Sequence, residues 1–127
     1  MYDYTIIGAG IIGSMIAREL SKFDLKVCVL EKENDVANVQ TRANSAIVHS
    51  GHDPKHGTLK AKLSVEGNEL YDQLESELHI SLLRTGAFVC AIDEDDVKHM
   101  EKLYENAKLN GVKDMEFLSI DEARKIE

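Results

Sequence analysis

Two short apolar runs with a glycine-spaced turn between them restrict this chain more than any other feature. Tyr4–Ile7 has the continuous apolar character of a buried parallel strand, and Gly8, Gly10 and Gly13 follow it in G-x-G-x-x-G spacing. Each glycine has a separate physical reason. Gly8 permits a sharp turn, Gly10 lets the backbone approach a pyrophosphate, and Gly13 lets a helix lie tight against the strand. That helix would aim its unpaired N–H groups and positive dipole end at the phosphates. Lys26–Leu30 reads as the second strand. Glu31 closes it 18 residues beyond Gly13, placed to accept from both hydroxyls of a ribose. A bare glycine spacing carries little information. Flanked by two strands, a helix and an acid, it specifies a dinucleotide site; the bland alternative is a turn that only packs a helix on a sheet. Asp24 stands where the loop before the second strand commonly has a left-handed glycine, a substitution that touches no ligand group.

The remaining sequence divides into readable segments. Glu33–Arg42 is polar and fits a short helix, then a loop; Ala43–Gly51 is a small-residue loop leading into a short strand at Ala46–His49. Thr58 caps a helix over Leu59–Leu78, whose Leu63, Leu70, Leu74 and Leu78 form a core-facing stripe. Gly67 in the middle of that helix costs about 1 kcal/mol relative to Ala, which points to a close neighbour. Leu82–Thr85 and Ala87–Ile92 read as strands around Gly86. Asp93 caps a helix over Glu94–Leu109 that Asn110 and Gly111 stop. Met115–Leu118 reads as a strand, and Ser119 with Glu122 forms a capping box for a helix running to Glu127. The character changes near Leu78–Ser81, which sets expected domains at 1–80 and 81–127. Only one strand–helix–strand crossover is visible, so the chain reads as a fragment of a larger doubly wound fold.

Composition narrows the functional classes. A net charge of −8 and a pI near 5.1 argue against nucleic acid, whose phosphates need clustered Lys and Arg. No apolar run approaches the roughly 20 residues that span a bilayer, and a strand at the very start leaves no room for a signal peptide. Cys28 and Cys90 fall inside expected strands without C-x-x-C spacing, as buried thiols of a reducing cytoplasm would. His49, His52 and His56 cluster, but their spacing fits no zinc pattern, and they read as loop histidines with no metal.

Three stretches carry a family resemblance: IIGAGIIGSMIAREL with VCVLEK, then TRANSAIVHSG, then GTLKAKLSVEGN. The first is common to flavin and nicotinamide enzymes, and the other two are more specific. With RTGAF and SIDEARKIE they make nearly the whole chain resemble the N-terminal part of FAD-dependent oxidoreductases of the D-amino-acid-oxidase type. Within that family it is most similar to the glycerol-3-phosphate dehydrogenases and L-2-hydroxyglutarate oxidases. The resemblance implies a Rossmann-like α/β FAD-binding unit followed by the start of an α+β substrate domain with an antiparallel sheet. It implies FAD contacts from Gly8, Gly10, Gly13, Glu31, Lys32, Thr41, Arg42, Asn44, Ser45 and Ala46. His49 matches a histidine beside the isoalloxazine, suited to proton transfer or to tuning the flavin.

The implied reaction oxidises the secondary alcohol of a small anionic substrate. The leading reading is sn-glycerol 3-phosphate to dihydroxyacetone phosphate by hydride transfer to flavin N5, with L-2-hydroxyglutarate oxidation as the alternative. A reading from another class is a non-catalytic dinucleotide-binding module. The implied partners are the substrate and a peripheral membrane or electron-acceptor subunit. The span 1–127 alone is expected to be inactive, and to self-associate through its unpaired sheet edge.

Overall fold

A computed structural model describes residues 1–126. The chain divides into two compact units, Met1–Ile47 and Val48–Glu127. In the first, strand β1 (Tyr4–Ile7) leads through the glycine turn into helix α1 (Ile11–Leu20), which returns the chain to strand β2 (Val27–Leu30). The two strands pair in parallel, Tyr4 opposite Val27 and Ile7 opposite Leu30. Hydrogen bonds beyond the strand limits close both ends of the ladder. At one end Asp3 N–H donates to the Lys26 carbonyl at 2.9 Å, and Lys26 N–H donates to the Asp3 carboxylate at 2.8 Å. At the other, Gly8 N–H donates to the Leu30 carbonyl at 2.7 Å. Lys26, expected in the second strand, therefore lies just before it.

The α1 helix stops at Ser21, which keeps right-handed backbone. Asp24 is not among the residues with positive φ, so the left-handed position expected there is not used. The short helix expected within Glu33–Arg42 is a series of turns. Asn and Asp side chains divert the backbone from helix there, as Asp35 does in accepting from Val36 N–H at 2.7 Å. Ala37 takes a left-handed φ of 58°, and its N–H donates to the Ala9 carbonyl at 3.0 Å.

The second unit holds helices α2 (Leu59–Leu78), α3 (Glu94–Asn110) and α4 (Ile120–Ile126). The N-caps and the stop of α3 follow from the sequence. Thr58 accepts from Ala61 N–H, and Asp93 accepts from the N–H groups of Asp95 and Asp96. Gly111 ends α3 with two reversed bonds, its own N–H to Lys108 and that of Val112 to Ala107, each 3.0 Å. Ser119 and Glu122 close the expected capping box, with Ser119 N–H donating to the Glu122 carboxylate at 2.8 Å. Glu127, the expected last residue of α4, lies outside the described residues.

Several expectations are corrected. Ala46–His49, Leu82–Thr85, Ala87–Ile92 and Met115–Leu118 form no ladder; among the described residues the one sheet is β1 with β2. A strand exists only through its partner's hydrogen bonds, and these runs have none beside them. Of the leucine stripe only Leu74 is buried; Leu63, Leu70 and Leu78 are exposed, and the other buried apolar side chains of this unit are the small Ala61 on α2 and Ala107 on α3. A Cβ on Gly67 would meet open space, so no close neighbour accounts for that glycine. Cys28 is half-buried in β2, whereas Cys90 is exposed in the unpaired segment.

Candidate functional site

The site is built from the turn between β1 and α1. Gly8 has φ +99°, which a side chain would strain. Gly13 lies so close beneath it that a Cβ would fall 1.9 Å from the Gly8 carbonyl oxygen and 3.3 Å from Ile6 Cγ2. Strand, turn and helix can therefore meet only with glycine at position 13. Gly10 is the N-cap of α1 and offers no capping side chain. The first intrahelical bond runs from Ser14 N–H to the Gly10 carbonyl at 2.9 Å. The preceding N–H groups have no acceptor within the helix.

Two side chains from elsewhere in this unit reach the turn. Thr41 Oγ1 accepts from Ile11 N–H at 3.0 Å and lies 3.1 Å from where a Cβ on Gly10 would be. Glu31 accepts from Ala9 N–H at 2.8 Å on one carboxylate oxygen. Its other oxygen accepts from Lys32 N–H at 2.8 Å and Glu33 N–H at 3.0 Å. The N–H groups of Glu33 and Ala9, then that of Lys32, hold this carboxyl below the usual Glu range; partial desolvation opposes them. A carboxylate has about four acceptor positions. The three bonds made here leave one, on the oxygen that faces Ala9. Ala9 itself is buried, with its N–H on Glu31 and its carbonyl on Ala37.

The structure brings Gly8, Gly10, Gly13, Glu31 and Thr41 together. Other expected contacts in this unit face solvent. Lys32 Nζ pairs with Glu33 at 3.2 Å, and Arg42 Nη1 donates to Asn38 at 3.2 Å. Asn44 ties its own loop, donating to the Thr41 carbonyl and accepting from Ala46 N–H at 2.7 Å. Ala46 holds a left-handed φ of 54°, and Ser45 beside it is exposed. His49 belongs to the second unit and is exposed. Its carbonyl accepts from Asn68 Nδ2 at 3.2 Å. His52 Nδ1 pairs with Ser50 at 3.0 Å and His56 Nδ1 with Asn110 at 3.1 Å. No group of three or more His, Cys, Asp or Glu converges among the described residues.

Residues that the sequence reading passed over organise the second unit. Asn106 donates to the carbonyls of His52 (2.7 Å) and Pro54 (3.0 Å), and Asn110 to those of Gly51 (2.9 Å) and Pro54 (2.7 Å). These two clamp the Gly51–Gly57 loop onto α3. Their i, i+4 spacing places two amides on one helix face, which was a legible signal. Arg84 bonds Asn68 and Asp72 on α2, and nothing in its local sequence announced that.

The glycine turn fits the ADP half of a dinucleotide: first-turn N–H groups with no acceptor within the helix, of which Ile11 N–H rests on Thr41, no Cβ at Gly10 and an acid with one acceptor position left. Comparison with known proteins agrees. A model of the family described as "DAO: FAD dependent oxidoreductase" matches residues 3–127. The chain is 54% identical over 119 residues to a glycerol 3-phosphate dehydrogenase of Caloramator mitchellensis, a match covering 94% of this chain and 25% of that protein. It is 34% identical over 128 residues to a mitochondrial L-2-hydroxyglutarate dehydrogenase of Caenorhabditis elegans, covering 99% and 30%. Among solved structures it is similar to the dithionite-reduced L-alpha-glycerophosphate oxidase of Mycoplasma pneumoniae with FAD bound. The TM-score is 0.80 at 30% identity, over 98% of this chain and 33% of that one. The chain thus spans a quarter to a third of the length of these proteins.

Proposed function

The chain belongs to the DAO family of FAD-dependent oxidoreductases, and on that premise we propose that it supplies the ADP-binding half and the flavin-edge segment of an enzyme that oxidises glycerol 3-phosphate. The single observation that carries the reading is the glycine turn whose Ala9 N–H is held by Glu31 at 2.8 Å. When bound, FAD supplies the hydride acceptor that turns the secondary carbinol of sn-glycerol 3-phosphate into the ketone of dihydroxyacetone phosphate.

The chain's own residues bind and orient. The first turn of α1, flanked by Gly10 and Thr41, receives the pyrophosphate through N–H groups and the helix dipole. Glu31 takes one ribose hydroxyl on the oxygen that already holds Ala9. Lys32, Arg42, Asn44, Ser45 and Ala46 complete the cofactor contacts along the loop. His49 is assigned to the flavin side of the site, where its imidazole would transfer a proton or tune the flavin. The substrate phosphate needs arginines, drawn from sequence that the relatives have beyond this span. Residues 1–80 belong to the FAD domain and 81–127 to the start of the substrate domain. Residues 1–127 alone are not a competent enzyme. A reducing cytoplasm suits its two unpaired cysteines, and an electron-acceptor or peripheral membrane subunit would reoxidise the flavin. Among the described residues no helix is long and apolar enough to cross a membrane.

The second reading, oxidation of L-2-hydroxyglutarate, is supported by the relatives of that name at lower identity. One experiment separates them. The protein carrying this sequence is purified, its visible spectrum recorded, and each substrate added without oxygen. Bleaching of a flavin band by sn-glycerol 3-phosphate supports the proposal, whereas bleaching by L-2-hydroxyglutarate alone selects the second reading. Flavin that neither substrate bleaches points to a non-catalytic module, and absence of flavin sinks all three.

A further inference from the structure

One side chain holds the backbone at His49, and a second decides which way the first one faces. Asn68, half-buried on α2, donates Nδ2 to the His49 carbonyl at 3.2 Å and to the Val48 carbonyl at 3.5 Å. Its Oδ1 accepts from Arg84 Nη1 at 2.6 Å, and its backbone carbonyl accepts from Arg84 Nη2 at 2.9 Å. The guanidinium is fixed in turn by Asp72, one turn along α2, which accepts Nε at 3.0 Å and Nη2 at 2.6 Å.

The chemistry of these groups makes the arrangement directional. The two ends of an asparagine amide are alike in shape and opposite in hydrogen-bonding sense. Arginine only donates and stays charged, so the amide end that meets Arg84 must be the oxygen. The NH2 end is then committed to the two carbonyls. Without Arg84 the amide is free to turn over and set its oxygen against them. The Arg84–Asp72 pair is too exposed to add much to stability, its side chains being 44% and 68% accessible. What it supplies is orientation.

We infer that Arg84 is a positioning residue for His49, acting through Asn68 to fix the Val48–His49 backbone and with it the direction of the imidazole. This rests on the reading of His49 as the residue beside the flavin. The inference concerns the backbone at His49, so it can be tested even if that reading falls.

The test uses the protein carrying this sequence with Arg84→Ala, Asn68→Asp, His49→Ala and the Arg84→Ala/His49→Ala pair. Asn68→Asp keeps the acceptor for Arg84 and deletes the donor to the carbonyls. Arg84→Ala and Asn68→Asp should each lower kcat by about tenfold or more and leave KM within about twofold. In the His49→Ala background Arg84→Ala should cost nothing further, because both act on one group. Fully additive losses overturn the inference. Hydrogen exchange at residues 48–51 decides independently of turnover: both single variants should exchange faster there than the parent. Should His49→Ala turn over normally, the role given to His49 fails, and the exchange result alone decides. Unchanged exchange overturns the inference in either case.

Discussion

The carboxylate of Glu31 accepts the N–H of Ala9 at 2.8 Å, joining the end of β2 to the glycine turn across 22 residues. The acid is thus part of the turn's own framework before any ligand arrives. Its effects should be visible in the unliganded chain and in binding separately.

In the unliganded chain the effect is a pH dependence. Glu31 is held below its ordinary value of 4.5, by the N–H of Glu33 first and then that of Ala9. A folded pKa below the unfolded one gives stability that is present above the unfolded value and lost as pH falls through the folded one. Denaturant unfolding at a series of pH values should therefore show Glu31→Gln losing less than the parent below about pH 4.5. Parallel curves for the two proteins would show that the three bonds add nothing.

In binding, Glu31→Ala should weaken FAD or ADP severalfold or more, because a ribose hydroxyl loses a charged acceptor. Titration calorimetry on the protein carrying this sequence reads it directly. Unchanged affinity would remove Glu31 from the site.

Two glycine-to-alanine changes should move stability in opposite directions. At Gly13 the added methyl lies 1.9 Å from backbone oxygen, which cannot swing aside as a side chain would. A loss of about 3 kcal/mol or more is expected, from overpacking at a backbone contact. At Gly67 nothing lies within 4 Å, so Gly67→Ala in mid-helix should gain about 1 kcal/mol. Thermal unfolding of the two variants beside the parent suffices. A tolerated Gly13→Ala would mean that α1 does not ride this close on β1.

The isolated span should self-associate. Ile7, Ile12, Leu83 and Ile92 are each at least three-quarters accessible, and each strand of the two-stranded sheet has one unpaired edge. Light scattering on residues 1–127 should report a mass above that of a monomer and rising with concentration. A strictly monomeric mass would show that water tolerates these surfaces.

Local signals were the legible ones. The spacing of Gly8, Gly10 and Gly13, the caps at Thr58, Asp93 and Ser119, and the Gly111 stop depend on a few neighbouring residues, and all took the expected form. The expected strands at Leu82–Thr85 and Ala87–Ile92 failed for the converse reason. Alternating apolar residues report a readiness to pair, and pairing depends on a partner that local pattern does not contain. The position of Glu31 was readable, but its three backbone bonds were not, because they depend on how β2 ends against the turn. The Arg84–Asn68 contact spans 16 residues and a loop, beyond the reach of any periodicity.

The clamp that Asn106 and Asn110 place on the Gly51–Gly57 loop also has a consequence in time. Gly51 and Asn110 are 59 residues apart. A ribosome adding about 5–20 residues per second leaves roughly 3–12 s between making the loop and making its second holdfast. Until Asn106 and then Asn110 are made, the carbonyls of Gly51, His52 and Pro54 lack the amide donors that hold them in the folded chain. The segment beside His49 and Ser50 is synthesised early and reaches its final shape only when the far end of α3 has left the exit tunnel.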